Sequence, residues 1–237
     1  MLIRNQQGEP FNVRPASRRY LGDTEMMALF DLCRRELYYG DIFAESGTRQ
    51  FLMIVVCAHS TDLKKMAPFK RSRAGWSRLD YQLLQNGGVC LYFSNDVLRK
   101  DLAWLRARGY VIHEFNASLW KTKADFHKSV AETLRFPSYY GRNLDAFVDC
   151  LRDLKVPQKR GGMAIVIREV DSFRTVDKKF CFDVLDVLAD TIRDNLVFGR
   201  RFLVLLQTRN PDFEHQAVGA VPVMWNPKEW LESRRGL

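Results

Sequence analysis

The chain has 237 residues, of which 46% are hydrophobic and 12% aromatic, enough for a sizeable core in one large or two ordinary domains. Its 37 basic and 28 acidic residues give a net charge of +9, which favours anionic partners such as nucleic acid, anionic lipid or an acidic protein surface. The sequence contains no apolar run of about 18 residues and no apolar signal-peptide centre at its start, so it predicts a cytoplasmic protein without a membrane span.

The front of the chain predicts helices and buried strands of its own. Glycine and prolines in residues 1–22 predict an extended entry with little regular structure. Apolar residues recur at helical spacing over 23–37, which predicts an amphipathic helix. The apolar, β-branched run over 51–57 predicts a buried strand.

Basic and aromatic residues are interleaved over 64–78, where six lysines and arginines accompany Phe69 and Trp76. Such segments grip single-stranded nucleic acid through phosphate contacts and base stacking. The simpler interpretation is a solvated loop or helix end, because no nucleic-acid-binding motif accompanies the charges. Nucleic-acid binding by the basic front half is therefore kept as the alternative functional hypothesis.

Two further buried strands are predicted at 89–93 and 110–115. The helix between them begins at Ser94 or Asn95 and ends at Gly109. A strand, helix and strand in succession favour a parallel pair with a right-handed crossover. The domain boundary is expected within residues 86–109, and we divide the chain after residue 108; the alternative is that the front half extends the sheet to which residues 110–115 belong.

From there on, helices alternate with apolar strands. The predicted elements are a helix at 123–134, a helix at 144–154, a strand at 164–168, a helix at 176–195 and a strand at 202–206. This alternation predicts an α/β layer with a parallel sheet. In the tail, Asn226 and Pro227 are a suitable cap and first residue for a short helix, and Trp225 and Trp230 are expected to dock on the body.

The most informative stretch runs from Pro137 to Leu151, where a turn rich in aromatic residues precedes a helix. Arg142 or Asn143 is placed to cap this helix, and Asn143 is chemically the better cap. Its apolar face consists of Leu144, Phe147, Val148 and Leu151. Its carboxylates follow one another four residues apart and form what we call the acidic row: Asp145, Asp149 and Asp153. Like charges at this spacing cost about 0.2–0.5 kcal/mol per pair, so a basic partner would stabilise the row, whereas the simplest alternative is a solvated helix face.

This stretch resembles barstar, the family of intracellular inhibitors that occupy the active site of the secreted bacterial ribonuclease barnase. The residues that match the family's inhibitory surface position by position are Tyr139, Tyr140, Gly141, Asn143, Leu144, Asp145, Ala146, Asp149 and Cys150. The order of elements agrees as well, so the resemblance covers residues 109–207. It implies an α/β chain in which a barstar-like three-layer domain with a parallel sheet (109–207) follows a second α/β region of unknown type and function (1–108) and precedes a C-terminal extension with a short helix (208–237).

The resemblance implies a bacterial immunity protein, not an enzyme, that binds a barnase-like ribonuclease or a ribonuclease-like toxin. The clustered carboxylates would mimic the RNA phosphates that the cationic residues of such an enzyme hold. The partner-binding residues that it implies are Tyr139, Tyr140, Gly141, Asn143, Leu144, Asp145, Val148, Asp149 and Asp190. Asp190 lies on a second acidic helix face, at the place where a glutamate of the family meets the ribonuclease, and Asp186 is the other candidate for that place.

Two positions depart from the family. Arg142 stands where the family has an acidic residue, and Val148 stands where it has a tryptophan. A nuclease related to barnase, rather than barnase itself, is therefore an equally good candidate partner.

Other kinds of site find little support in the sequence. It contains no phosphate-binding glycine loop, nucleophile elbow or zinc-protease motif, so no catalytic residue and no cofactor is predicted. The four histidines are scattered and no Cys or His pair has zinc spacing, so no metal site is predicted. The five cysteines are an odd number without close pairing and are expected to be reduced, with Cys57, Cys90 and Cys150 in apolar surroundings.

Overall fold

The computed structural model describes residues 68–69, 72–158, 160–214 and 216–237. The predicted helix over 23–37, the strand over 51–57 and most of the front half lie outside these residues. The described residues belong to one compact unit. None of their helices is long and apolar enough to cross a membrane.

Five parallel strands in the described part of the chain form one sheet in the order β2-β3-β4-β1-β5. The strands are β1 (Val89–Tyr92), β2 (Val111–Asn116), β3 (Met163–Arg168), β4 (Phe202–Gln207) and β5 (Met224–Trp225). The helices of the same residues are α1 (Arg73–Trp76), α2 (Leu79–Gln85), α3 (Asn95–Ala107), α4 (Lys123–Leu134), α5 (Leu144–Arg152), α6 (Val170–Val176) and α7 (Lys178–Val197), with 3-10 turns at Ala117–Leu119 and Glu232–Arg234. The α/β class with a parallel sheet is confirmed.

The connections place helices on both faces of the sheet. The chain steps from β2 to β3 to β4 through α4 to α7, and right-handed crossovers put these helices on one face. The step from β1 back to β2 runs the other way and puts α3 on the opposite face. In agreement, α7 packs against α5 and β4, and α3 packs against β1 and β2. Three layers result, as in the barstar-like domain that the sequence predicts.

β1 is an inner strand of this sheet. It pairs with β4 on one side, with Val89 opposite Val204, and with β5 on the other, with Cys90 opposite Met224. All four residues of β1 are buried. The sheet therefore continues across the boundary that the sequence places after residue 108.

The predicted helix over 123–134 is confirmed because both of its ends carry strong local signals. At its start, Thr122 and Asp125 form a reciprocal capping box, in which each side chain accepts a hydrogen bond from the other residue's backbone. At its end, Arg135 adopts the left-handed conformation, with φ of 57°. These ends set where the following aromatic turn begins.

Two predicted elements differ in detail from the structure. The helix predicted over 176–195 is α7, which begins after Asp177, and a separate helix, α6, precedes it. The Asp177 side chain caps α7 by accepting a hydrogen bond from Phe180 N at 2.8 Å. Asn226 begins a turn, in which its Oδ1 accepts a hydrogen bond from Lys228 N at 3.0 Å, and its Nδ2 donates to Leu91 O at 3.1 Å and so ties the tail to the sheet. The short helical segment of the tail is the 3-10 turn at Glu232–Arg234. Trp225 docks as predicted, beneath the Arg235 guanidinium, but Trp230 is exposed.

An aromatic cluster fills the core beneath the α4 to α7 layer. The ring of Phe126 lies at its centre and packs against Trp120, Phe147, Phe173 and Phe180, with centroid distances of 5.1 to 5.7 Å. Cys90 and Cys150 are buried free thiols, as predicted, whereas Cys57 lies outside the described residues.

Candidate partner-binding face

The aromatic turn, residues 137–143, buries one tyrosine and exposes the next. Tyr140 is buried, and its ring packs against Phe136 with a centroid distance of 5.0 Å. Its hydroxyl is hydrogen-bonded to His127 Nδ1 at 2.6 Å, which anchors the turn on α4. Tyr139 is 79% exposed. Of the two predicted contact tyrosines, Tyr139 alone offers its ring to solvent, and Tyr140 positions it.

The anchoring hydrogen bond joins two neutral groups. Burial lowers the pKa of His127, and the positive charge of Arg142 lowers it further. Burial also raises the pKa of the Tyr140 hydroxyl. At neutral pH the pair is therefore uncharged, which suits its buried position. No sequence pattern connects His127 with this turn, because His127 and Tyr140 are 13 residues apart and belong to different elements.

The end of the turn starts α5 with the cap that was preferred from sequence. The Asn143 side chain accepts a hydrogen bond from Ala146 N at 2.8 Å, so Asn143 rather than Arg142 is the cap. Arg142 itself adopts φ of 50° and is exposed. At Gly141, an added Cβ would lie 3.4 Å from Asn143 Nδ2, an ordinary contact. The fold alone therefore does not require glycine at this position.

The acidic row lies on the exposed side of α5. Asp145 in the first turn, Asp149 in the middle and Asp153 at the end are all exposed, and the Asp149 side chain retains 75% of its accessible surface. On the opposite side, Phe147, Cys150 and Leu151 are buried in the core. α5 therefore directs its carboxylates toward solvent, while its opposite side is packed in the core.

The row carries its own counter-charge. Arg152 Nη1 lies 3.3 Å from Asp149 Oδ1. This ion pair was not predicted from the sequence, although side chains three residues apart on a helix are neighbours. The Nε of Arg152 is buried and makes no hydrogen bond with any described residue. With Arg142 at the turn, two cations flank the exposed carboxylates. The face is therefore mixed in charge rather than purely negative.

The remaining predicted contacts are less exposed or lie elsewhere. Leu144 and Val148 are half-buried, so each offers only part of its side chain to a partner. Asp190, on α7, is exposed and forms an ion pair with Arg193 of the same helix. Asp186 accepts a hydrogen bond from Gly219 N at 2.7 Å and so holds the tail. Among the described residues, no hydrogen bond or ion pair joins either aspartate to α5.

The described residues hold no group of three or more side chains able to bind a metal ion. The buried thiol of Cys150 on α5 has a raised pKa, chiefly because of burial and additionally because of Asp153 and Asp149. It therefore remains a protonated thiol at neutral pH. The chemistry that this face offers is that of charge and shape.

Comparison with known proteins agrees with this geometry. The family model described as barstar (barnase inhibitor) matches residues 110–207. The match spans β2, β3 and β4 together with the aromatic turn and the acidic row. A search of curated proteins found nothing that matches the chain. Residues 110–207 of this chain therefore match the family of barstar, the barnase inhibitor.

Proposed function

We propose that this protein inhibits a barnase-like ribonuclease, or a nuclease toxin of that kind, by binding it with the aromatic turn and the acidic row. The observation that carries the proposal is the placement of Asp145 and Asp149 on the exposed side of α5, directly after the exposed ring of Tyr139. Arginines, lysines and histidines that bind RNA phosphates would form charge-assisted hydrogen bonds with these carboxylates.

Inhibition of this kind requires no reaction. The carboxylates occupy the positions that phosphates of the substrate would take, and the Tyr139 ring covers apolar surface beside them. The hydrogen bond between Tyr140 and His127 fixes the turn before binding, which reduces the entropy that is lost in the complex. The protein would thus act as an immunity protein in the cytoplasm rather than as an enzyme.

The charge pattern supports a partner other than barnase itself. Arg142 and Arg152 place two cations beside the carboxylates, and a purely basic cleft would repel both. A nuclease whose cleft is basic at its centre and carries an acidic residue at its rim complements this face better. Asp190 would reach the same nuclease from α7, a placement that rests on the resemblance.

The test is inhibition of RNA cleavage by a barnase-like nuclease, measured with the wild type and with Tyr139→Ala. Because Tyr139 is largely exposed, its removal should leave the thermal unfolding temperature unchanged. Loss of a large aromatic contact should weaken inhibition at least about tenfold. The matched control is Trp230→Ala, which removes another exposed aromatic ring, outside the proposed face. Equal inhibition by wild type and Tyr139→Ala, or no inhibition by either, would contradict the proposal.

A further inference from the structure

Four arginines converge on a cavity at the edge of the sheet where the strands begin. The cavity has a volume of about 270 Å³ and is lined by Arg78, Ala107, Arg108, Arg160, Gly161 and Arg201. Arg108, Arg160 and Arg201 each lie just before β2, β3 or β4, and neighbouring parallel strands all begin at one edge. We call this cavity with its four arginines the arginine pocket. None of the four arginines belongs to the aromatic turn or the acidic row.

A glycine holds two of these loops in close contact. Gly161 has φ of +77°, and a Cβ at this position would lie 1.9 Å from the carbonyl oxygen of Gly109. A Cβ at Gly109 would in turn lie 3.4 Å from Cγ of Arg160. The backbone therefore brings Arg160 beside the loop that carries Arg108, and a larger residue at 161 would separate them.

A buried carboxylate holds the other two arginines. Asp80 is fully buried and accepts hydrogen bonds from Arg78 Nε at 2.9 Å and Nη2 at 2.7 Å, and from the Tyr110 hydroxyl at 2.7 Å. Arg201 Nη1 lies 3.5 Å away. Burial raises the pKa of Asp80, but these hydrogen bonds and the two positive charges outweigh it and lower the pKa overall. One ionised carboxylate thus faces two guanidinium groups. The Nε of Arg201 is buried and has no hydrogen-bond partner among the described residues, so one donor in the pocket is unsatisfied.

The two remaining arginines are available to a ligand. The Arg108 guanidinium lies 3.6 Å from the centre of the Trp104 ring, and its Nη1 donates one long hydrogen bond, of 3.5 Å, to Trp104 O, so its other N–H groups can donate to a ligand. Arg160 makes no hydrogen bond or ion pair with any residue that the structure describes. The pocket thus carries four positive charges and one buried carboxylate, so a bound anion would reduce the repulsion among the arginines.

We infer that the arginine pocket binds a phosphate group, supplied either by a free phosphate or nucleotide or by a strand of single-stranded RNA. Guanidinium groups donate pairs of parallel hydrogen bonds that match phosphate oxygens, and a concave site with several of them suits a tetrahedral anion. Trp76, 53% exposed and two residues before Arg78, offers a ring on which a neighbouring base would stack. This site is separate from the proposed nuclease-binding face and does not depend on it.

The experiment measures binding of three probes to the folded full chain: inorganic phosphate, uridine monophosphate and a labelled single-stranded oligouridylate. The variant is Arg108→Gln with Arg160→Gln, since these two arginines take no part in the Asp80 network. The matched control is Arg99→Gln with Arg234→Gln, which removes the same charge from exposed positions outside the pocket. Thermal unfolding of each protein shows that it is folded.

The pocket variant should bind at least about tenfold more weakly than the wild type, and the control should bind like the wild type. For the oligouridylate, the slope of log K against log salt should fall by about 0.7, the value for one lost phosphate contact on a single strand. Similar affinity for all three probes identifies a single phosphate as the ligand, whereas at least about tenfold tighter binding of the oligouridylate identifies an RNA strand. An equal loss in the control, or no binding of any probe to the wild type, overturns the inference.

Discussion

Arg152 decides how strongly the acidic row attracts a cation. Its guanidinium lies 3.3 Å from Asp149, and exposed pairs of this kind contribute only about 0.2–1 kcal/mol to stability. A cationic nuclease would have to accommodate this arginine beside the carboxylate that it binds. The arginine therefore weakens the attraction without contributing much to the fold.

Against a nuclease whose cleft is basic throughout, we expect Arg152→Gln to strengthen inhibition by about threefold to tenfold, because one repulsive charge leaves the interface. Against a nuclease with an acidic residue at the rim of its cleft, the same change should weaken inhibition, because an attractive pair is lost. The free energy of unfolding should change by less than about 1 kcal/mol. Inhibition titrations measure the first effect and urea unfolding the second. Lys155→Gln, which removes an exposed charge just beyond α5, is the control for the general effect of charge. Weaker inhibition by Arg152→Gln would show that the arginine itself contacts the nuclease.

Single residues were predictable where the signal is local. The Asn143 cap follows from the chemistry of its side chain and the outward position of Asp145 and Asp149 from helical spacing, and the structure agrees with both. The burial of Tyr140 was not predictable, because its partner His127 lies on another helix and the contact depends on how α4 and α5 pack. The arginine pocket was not predictable either, since its residues come from four separate segments of the chain.

At the scale of elements, the tail is fastened to the start of α3 by one side chain. The buried carboxylate of Glu229 accepts hydrogen bonds from Phe93 N at 3.1 Å and Ser94 N at 2.7 Å. These backbone groups precede the first turn of α3, where a negative charge is favourable. Through this contact the tail supports β5 at the edge of the sheet.

Glu229→Ala should lower the free energy of unfolding by about 1–3 kcal/mol, because two partly buried backbone N–H groups lose their charged acceptor. The control is Glu232→Ala, an exposed glutamate three residues later, which should change stability by less than about 0.5 kcal/mol. Urea unfolding of the full chain measures both. Equal stability of the two variants would contradict the role of Glu229.

The bounds of elements were predictable where caps are encoded nearby. The helix Lys123–Leu134 has a capping box at one end and a left-handed residue at the other, and its predicted bounds agree with the structure. The separate helix α6 before Asp177 was not predicted. The short helical turn of the tail lies at Glu232–Arg234 rather than directly after Asn226, whose side chain also binds Leu91, a contact between distant parts of the chain.

At the scale of the whole molecule, the sheet is larger than the segment that matches the barstar family. The matched residues 110–207 contain β2, β3 and β4, whereas β1 precedes them and β5 follows them. Strand pairing between β1 and β4 is not encoded by neighbouring residues, so the sequence could indicate parallel strands but not their order. For the same reason the division after residue 108 was made within a single sheet.

We expect a fragment of residues 109–237 to lack a cooperative unfolding transition, because removal of β1 exposes the inner edge of β4 and detaches β5. A fragment of residues 68–237 keeps all five strands that the structure describes and should unfold cooperatively. Circular dichroism during heating distinguishes them. Cooperative unfolding of the shorter fragment at the same temperature as the longer one would show that the family segment folds without β1.

Asp149, the middle carboxylate of the acidic row, is the residue on which the proposed inhibition depends most. Inhibition of a barnase-like nuclease by Asp149→Ala tests this dependence most directly. In the complex, a cationic side chain of the nuclease and this carboxylate would both be desolvated. Removal of the carboxylate would leave the cation buried without a partner, which strongly weakens binding. The control is Asp153→Ala, which removes the same charge one turn later. We predict that Asp149→Ala inhibits RNA cleavage at least about tenfold to a hundredfold less tightly than the wild type, while Asp153→Ala inhibits like the wild type and both remain folded. If Asp149→Ala inhibits as tightly as the wild type, the acidic row is a solvated helix face and the proposed function is wrong.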